Sequence, residues 1–295
     1  MTALALAGAV ASLVGPWLWA RSTKSKTTDL LACLPTAGAS VVYIDVDALR
    51  RSGMLSLVAG SKAAEEPDYQ QFVQETQFDY ARDLDAVAAA VKDGQTYLAL
   101  RGRFRWKSLT DYASHQGGSC HKDYCVVPGS QPTRRISFYP LESNLMAMAI
   151  APDDFAAYQI KRQAGQSPPA PLNQPVWALV PAGAFKNAST IPDGAKPYLS
   201  VLQSADQILL SVGPSADHLQ LELRVTCKDA SAASTLLANF ESATKTLRQW
   251  AHQPANPADL TSLLVAGAFR RDDRQVYGQW PISRAFVDAI AGGSN

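Results

Sequence analysis

Asp45 and Asp47 close an apolar run, Val41-Val42-Tyr43-Ile44, and residues two apart on an extended chain face the same way. Two carboxylates so placed suit metal-assisted phosphoryl transfer, one as nucleophile and one as metal ligand. The surroundings argue against it. Ala48-Leu49-Arg50-Arg51 follows without a glycine or threonine turn, and the later strands suggest an antiparallel sheet. Asp47 reads more simply as the N-cap of a helix around Arg50. A metal-dependent hydrolase using Asp45 and Asp47 is the lesser alternative, and no catalytic residue, cofactor or metal site is assigned.

His115, Cys120, His121 and Cys125 place four possible zinc ligands within one short stretch. Structural zinc sites favour closer cysteine pairs, and adjacent Cys120 and His121 point to opposite faces of an extended chain. A disulfide between Cys120 and Cys125, on the flank of a hairpin beside Gly117, Gly118 and Gly129, is the expected outcome. Cys33 and Cys227 lie beside apolar runs and read as small core residues.

Arg101, Arg103, Arg105 and Lys107 alternate with Phe104 and Trp106. On an extended chain the four cations share one face, and arginine rows offer paired hydrogen bonds to carboxylate or phosphate. They are the candidate contact for an acidic partner or lipid headgroups, with Arg134 and Arg135 as an extension. Nucleic acid is not expected, because 27 basic and 26 acidic side chains leave a net charge of +1. Gly-x-Ser-x-Gly elbows and phosphate-cradling glycine loops are absent from the sequence.

From Thr2 to Ala20 no side chain is charged, and leucine, valine and tryptophan among alanines make the run apolar. That is close to the ~20 residues needed to cross a bilayer. Trp17 and Trp19 fall where aromatic belts sit, and Arg21, Lys24 and Lys26 follow. Residues 1–21 are thus read as a membrane anchor or uncleaved signal, since the bulky exit disfavours processing. Those three cations argue for a cytoplasmic body, whereas the cysteine pair argues for export to an oxidising compartment. A periplasmic or extracytoplasmic body is the preferred reading.

Four prolines within Gln163–Pro175 mark a linker between units at 30–162 and 176–292. In the first unit, strands are expected at 41–46, 86–91, 96–104, 125–127, 135–139 and 144–150. Asp93-Gly94 is a hairpin signal, and helices are expected from Pro67, from Trp106 to His115 and after Pro152. In the second unit strands at 176–180, 207–212, 219–225, 263–269 and 275–280 flank a helix at 231–251, and a last helix covers 282–290. The fold class is α+β: two tandem related units with mostly antiparallel sheets and helices packed on one face.

Leu34-Pro35, Tyr43-Ile44-Asp45-Val46-Asp47, Phe78-Asp79 and Asp83-Leu84-Asp85-Ala86-Val87 together resemble uncharacterised bacterial envelope proteins with an N-terminal anchor and repeated α+β units. The resemblance implies no activity and carries over no site residues. The expected function is a non-enzymatic, membrane-anchored binding or scaffolding protein, holding a protein partner or an apolar ligand; the alternative is an accessory subunit of a larger membrane complex. With an exported body, a membrane-impermeant maleimide labels Cys120 and Cys125 in mildly reduced spheroplasts. Absence of label until the membrane is lysed places the body inside.

Overall fold

The structure, a computed structural model, describes residues 29–55, 67–129, 131, 134–161, 174–181, 202, 205–215, 218–250, 260–283 and 286. The expected anchor, most of the proline-rich linker and residues 284, 285 and 287–290 of the expected last helix lie outside these. Among the described residues no helix is long and apolar enough to cross a membrane.

Among the described residues, twelve strands form one antiparallel sheet. In chain order the first part comprises β1 (Ser40–Ile44), α1 (Val46–Arg51), α2 (Pro67–Thr76), α3 (Tyr80–Asp83), β2 (Leu84–Lys92), β3 (Gln95–Gly102) and α4 (Trp106–His115). It continues with β4 (Ser119–His121), β5 (Tyr124–Pro128), β6 (Arg135–Glu142), β7 (Leu145–Ala151) and a 3-10 turn (Ala156–Gln159). The second part comprises β8 (Val176–Pro181), β9 (Gln207–Ser215), β10 (His218–Thr226), α5 (Ala230–Trp250), α6 (Leu260–Val265), β11 (Ala268–Asp272) and β12 (Gln275–Ile282).

The strand order is β11-β12-β10-β9-β8-β1-β2-β3-β7-β6-β5-β4. Outward from the centre, β1-β2-β3-β7-β6 and β8-β9-β10-β12-β11 follow the same path, with the long helix after the third strand in each. The β4–β5 hairpin is added to the first arm alone. Because β1 and β8 run antiparallel, the arms are related by an approximate two-fold axis through the sheet.

The seam between the arms pairs Tyr43 with Trp177 and Val42 with Ala178. The Tyr43 and Trp177 rings stack at 5.7 Å and both are buried. On that face, the core of the first arm is floored by alanines, among them Ala88, Ala90, Ala99, Ala147 and Ala149. Small side chains let backbone approach closely, and the chain at 30–34 and the 3-10 turn pack there. On the opposite face Leu109 and Ala113 of α4 cover Phe138 and Met146, while Leu236 and Phe240 of α5 cover Leu223, Val225 and Val276. The helix α1 crosses between the arms on this second face: its Leu49 packs with Ile44, Val176 and Leu219.

Local chemistry explains where these elements start and stop. Asp93 (φ 51°) and Gly94 (φ 74°) both take positive φ, as a two-residue hairpin turn requires. The N-cap of α1 is Asp45, whose carboxylate accepts from the Ala48 N–H at 2.8 Å. Asp47, expected to be the cap, sits inside the helix and pairs with Arg50 (3.3 Å) and Arg51 (3.1 Å). The apolar run at 263–265 belongs to a helix rather than a strand. Gly213-Pro214-Ser215, beyond the strand expected at 207–212, continues β9. Pro214 lies beyond the last β8–β9 pair, Val176 with Val212, so its missing N–H breaks no ladder bond there. After Pro152 only the 3-10 turn forms.

Both outer edges are blunted. β4 is three residues long and covalently tied, and β11 carries exposed Arg270, Arg271 and Asp272, devices that discourage edge-to-edge pairing. Truncating the seam is the most disruptive change expected of a single side chain. Trp177→Ala should cost about 3–5 kcal/mol, read as a lowered urea midpoint, with both arms losing cooperativity together.

Candidate functional site

The first arm holds a cleft of about 770 Å³ at the end of β3. Its walls come from Gln74 in the last turn of α2 and Gln77 just after it, from Arg82 and Asp83 of α3, from Arg103 and Arg105 after β3, and from the β6–β7 turn (Ser143, Asn144). Aromatic packing sets these walls. Phe72 of α2 meets Tyr112 of α4 edge-on at 5.1 Å, and Phe104 stacks on Phe78 (5.4 Å) and meets Trp106 at a tilt (5.2 Å). The Trp106 indole N–H donates to the Ser143 carbonyl at 3.0 Å, fixing the turn against the start of α4.

Gly102 makes the arginines converge. A Cβ on it would meet the Asp83 carbonyl oxygen at 2.5 Å, so only glycine lets β3 come this close to α3. The contact is secured by the Arg103 N–H donating to the Asp83 carbonyl at 2.8 Å and by the Gly102 N–H donating to Asn144 at 3.0 Å. The Asp83 carboxylate then lies 2.8 Å from Arg82 and 3.4 Å from Arg103. It also accepts from the Asp79 N–H at 3.1 Å. The hydrogen bond from Arg82 holds the Asp83 carboxyl below the usual carboxylate range, outweighing the opposite push of burial.

Asp79 caps α3 by accepting from the Ala81 N–H at 2.9 Å, and it takes the Tyr69 hydroxyl at 3.0 Å. Burial chiefly pushes the Tyr69 phenol up to about 12, so it stays a donor at neutral pH. Arg105 is the N-cap of α4 but no side chain caps that helix. Its first N–H groups and their partial positive charge adjoin the cleft. Three guanidinium groups against one carboxylate thus line a cavity that also carries amide and hydroxyl donors. Such a site suits an anion: a carboxylate or phosphate takes paired N–H bonds from arginine.

The expected cationic row is divided by the fold. β3 ends at Gly102, so the four cations do not share one sheet face. Arg103 and Arg105 enter the cleft, Arg101 points to the alanine-rich face near Asp29 (3.9 Å), and Lys107 lies on α4 paired with Asp111 at 2.7 Å. Arg135 is distant, bound to Asp154 at 2.8 Å. Sequence spacing missed Arg82 and Asp83, whose approach depends on a contact across the fold. Cys120 and Cys125 face each other across β4 and β5 and form the expected disulfide. His115 turns away to Glu75 at 3.3 Å, and among the described residues no group of three metal-ligand side chains converges.

No family model matches this sequence, and no curated protein matches it. Solved structures do share its fold. Crystal form I of TP0453, a Treponema envelope protein, superposes with a TM-score of 0.52 over 90% of this chain and 96% of that one, at 9% identity. Crystal form III, at the same identity, covers 90% of this chain and 98% of that one with a TM-score of 0.49. The likeness is one of fold.

Asp83 ties the cleft to pH. Its contribution to stability is complete above about pH 4, the unfolded carboxyl value, and is lost as the pH falls through the lower folded value. Asp83→Asn should cost about 1–2 kcal/mol at pH 7, its arginine partners being largely in water. Urea midpoints between pH 2 and 7 should then show a shallower acid-side decline in the variant than in the wild type.

Proposed function

We propose that this chain is a non-enzymatic binding or scaffolding protein of the bacterial envelope, held to a membrane through residues 2–20 and engaging an acidic segment of a partner protein in the arginine-lined cleft. The observation that carries the reading is the convergence of Arg82, Arg103 and Arg105 on one cavity with a single carboxylate among them. Asp83 engages Arg82 and Arg103, which pre-orients both guanidinium groups, and Arg105 is exposed for a ligand. Pre-orientation lowers the entropy cost of binding a carboxylate.

Two observations support an envelope compartment. A Cys120–Cys125 bridge fits an oxidising space outside the cytoplasm. The fold shared with TP0453, an envelope protein, agrees with the same address. The repeated topology of the two arms supports a duplicated unit, in which one arm acquired the cleft and the added hairpin.

Arg103→Glu with Arg105→Glu tests the reading. Placing like charges against an acidic partner costs several kcal/mol, on the order of 100-fold or more in Kd. Affinity capture from solubilised membranes should recover the partner with wild-type protein, less at high salt, and lose it with the double variant. Unchanged co-purification by a variant that keeps its circular dichroism would overturn the proposal.

A further inference from the structure

Far from the cleft, on the alanine-rich face, the 3-10 turn exposes two neighbouring aromatic side chains. Phe155 is 64% exposed and Tyr158 is 52% exposed. Their rings lie nearly parallel, 7° apart, with centroids 6.3 Å from each other. Behind them Tyr158 stacks on Tyr124 at 4.2 Å and meets Tyr139 at 5.2 Å. The Tyr124 hydroxyl donates to the Asp154 carbonyl and the Tyr139 hydroxyl to the Ile160 carbonyl, both at 2.7 Å. The two outer rings are therefore held on a fixed base.

We infer that Phe155 and Tyr158 form a second membrane contact, seated in the headgroup layer of a lipid bilayer. The argument for lipid, and not for another protein, is the path of the chain. The Lys161 N–H at the end of the turn donates to the Cys33 carbonyl at 3.0 Å, so the patch adjoins the point where the described chain begins. Only Arg21 to Thr28 separate that point from the uncharged segment ending at Ala20. Eight residues reach at most about 30 Å, so a membrane holding the segment lies within that distance of this face. Phenylalanine and tyrosine on a rigid base gain by burying ring surface while the phenol stays at the polar boundary, which is the energetics of interfacial aromatic belts. α5 lies on the other face of the sheet and points away. The inference rests on the membrane attachment proposed above.

The experiment uses the full chain in lipid nanodiscs. Phe155→Cys and, on the exposed side of α5, Ser234→Cys each receive a nitroxide; Cys33 and Cys227 are buried and Cys120 and Cys125 are bonded, so the new thiol is the reactive one. Oxygen partitions into lipid and a nickel chelate into water. The oxygen-to-nickel accessibility ratio is expected to be several-fold higher at position 155 than at position 234. Equal, water-like ratios in protein that co-elutes with nanodiscs overturn the inference and leave the attachment standing. Protein that elutes apart from the discs defeats both.

Discussion

The pairing of β1 with β8 is the constraint on which the remaining architecture depends. Each is the innermost strand of its arm, and each without the other would expose a row of unpaired N–H and C=O groups at a sheet edge. Tyr43 and Trp177 convert that backbone pairing into a buried one. They stack on one face, while Ile44 and Val176 take up the α1 residue Leu49 on the other. Stacked aromatic pairs contribute roughly 0.5–1.5 kcal/mol beyond their buried area, and the seam places one at the centre of symmetry. The arms thus share a sheet although their helical cores are separate.

The two faces of this sheet have been put to different uses. One carries long amphipathic helices over branched and aromatic side chains, the usual solution for burying a sheet. The other, in the first arm, is paved with alanine and covered by extended chain and a short turn. Alanine there trades buried apolar area for closeness of approach. That choice brings the beginning of the described chain, the 3-10 turn and Arg101 together on one side of the molecule, and leaves the arginine cleft at the border between helices and sheet.

Much of this was legible in local sequence. Asp93-Gly94 announced its hairpin because few residues tolerate positive φ, the Trp106–His115 helix followed its periodicity, and the five-residue spacing of Cys120 and Cys125 fits directly opposed positions across a hairpin. What escaped depended on distant contacts. The convergence of Arg82 with Arg103 requires Gly102 to meet Asp83 across the fold. The apolar run at 263–265 is too short for periodicity to separate helix from strand. Pro214 fell outside the strand expected at 207–212 because its position past the end of β8 is set by tertiary pairing. The anchor and linker readings lie on residues outside those described.

The position of β1 also has a mechanical meaning. The chain enters the sheet from 29–39 directly into this strand, sixth in the order counted from one edge and bonded to a neighbour on either side. A pull applied through the N-terminus therefore loads two hydrogen-bonded ladders at once in the middle of the sheet, where strands must slide past both neighbours together. An edge strand would unzip bond by bond under the same tension. A body hung by that end from a moving surface is gripped in the middle of its sheet and not at an edge.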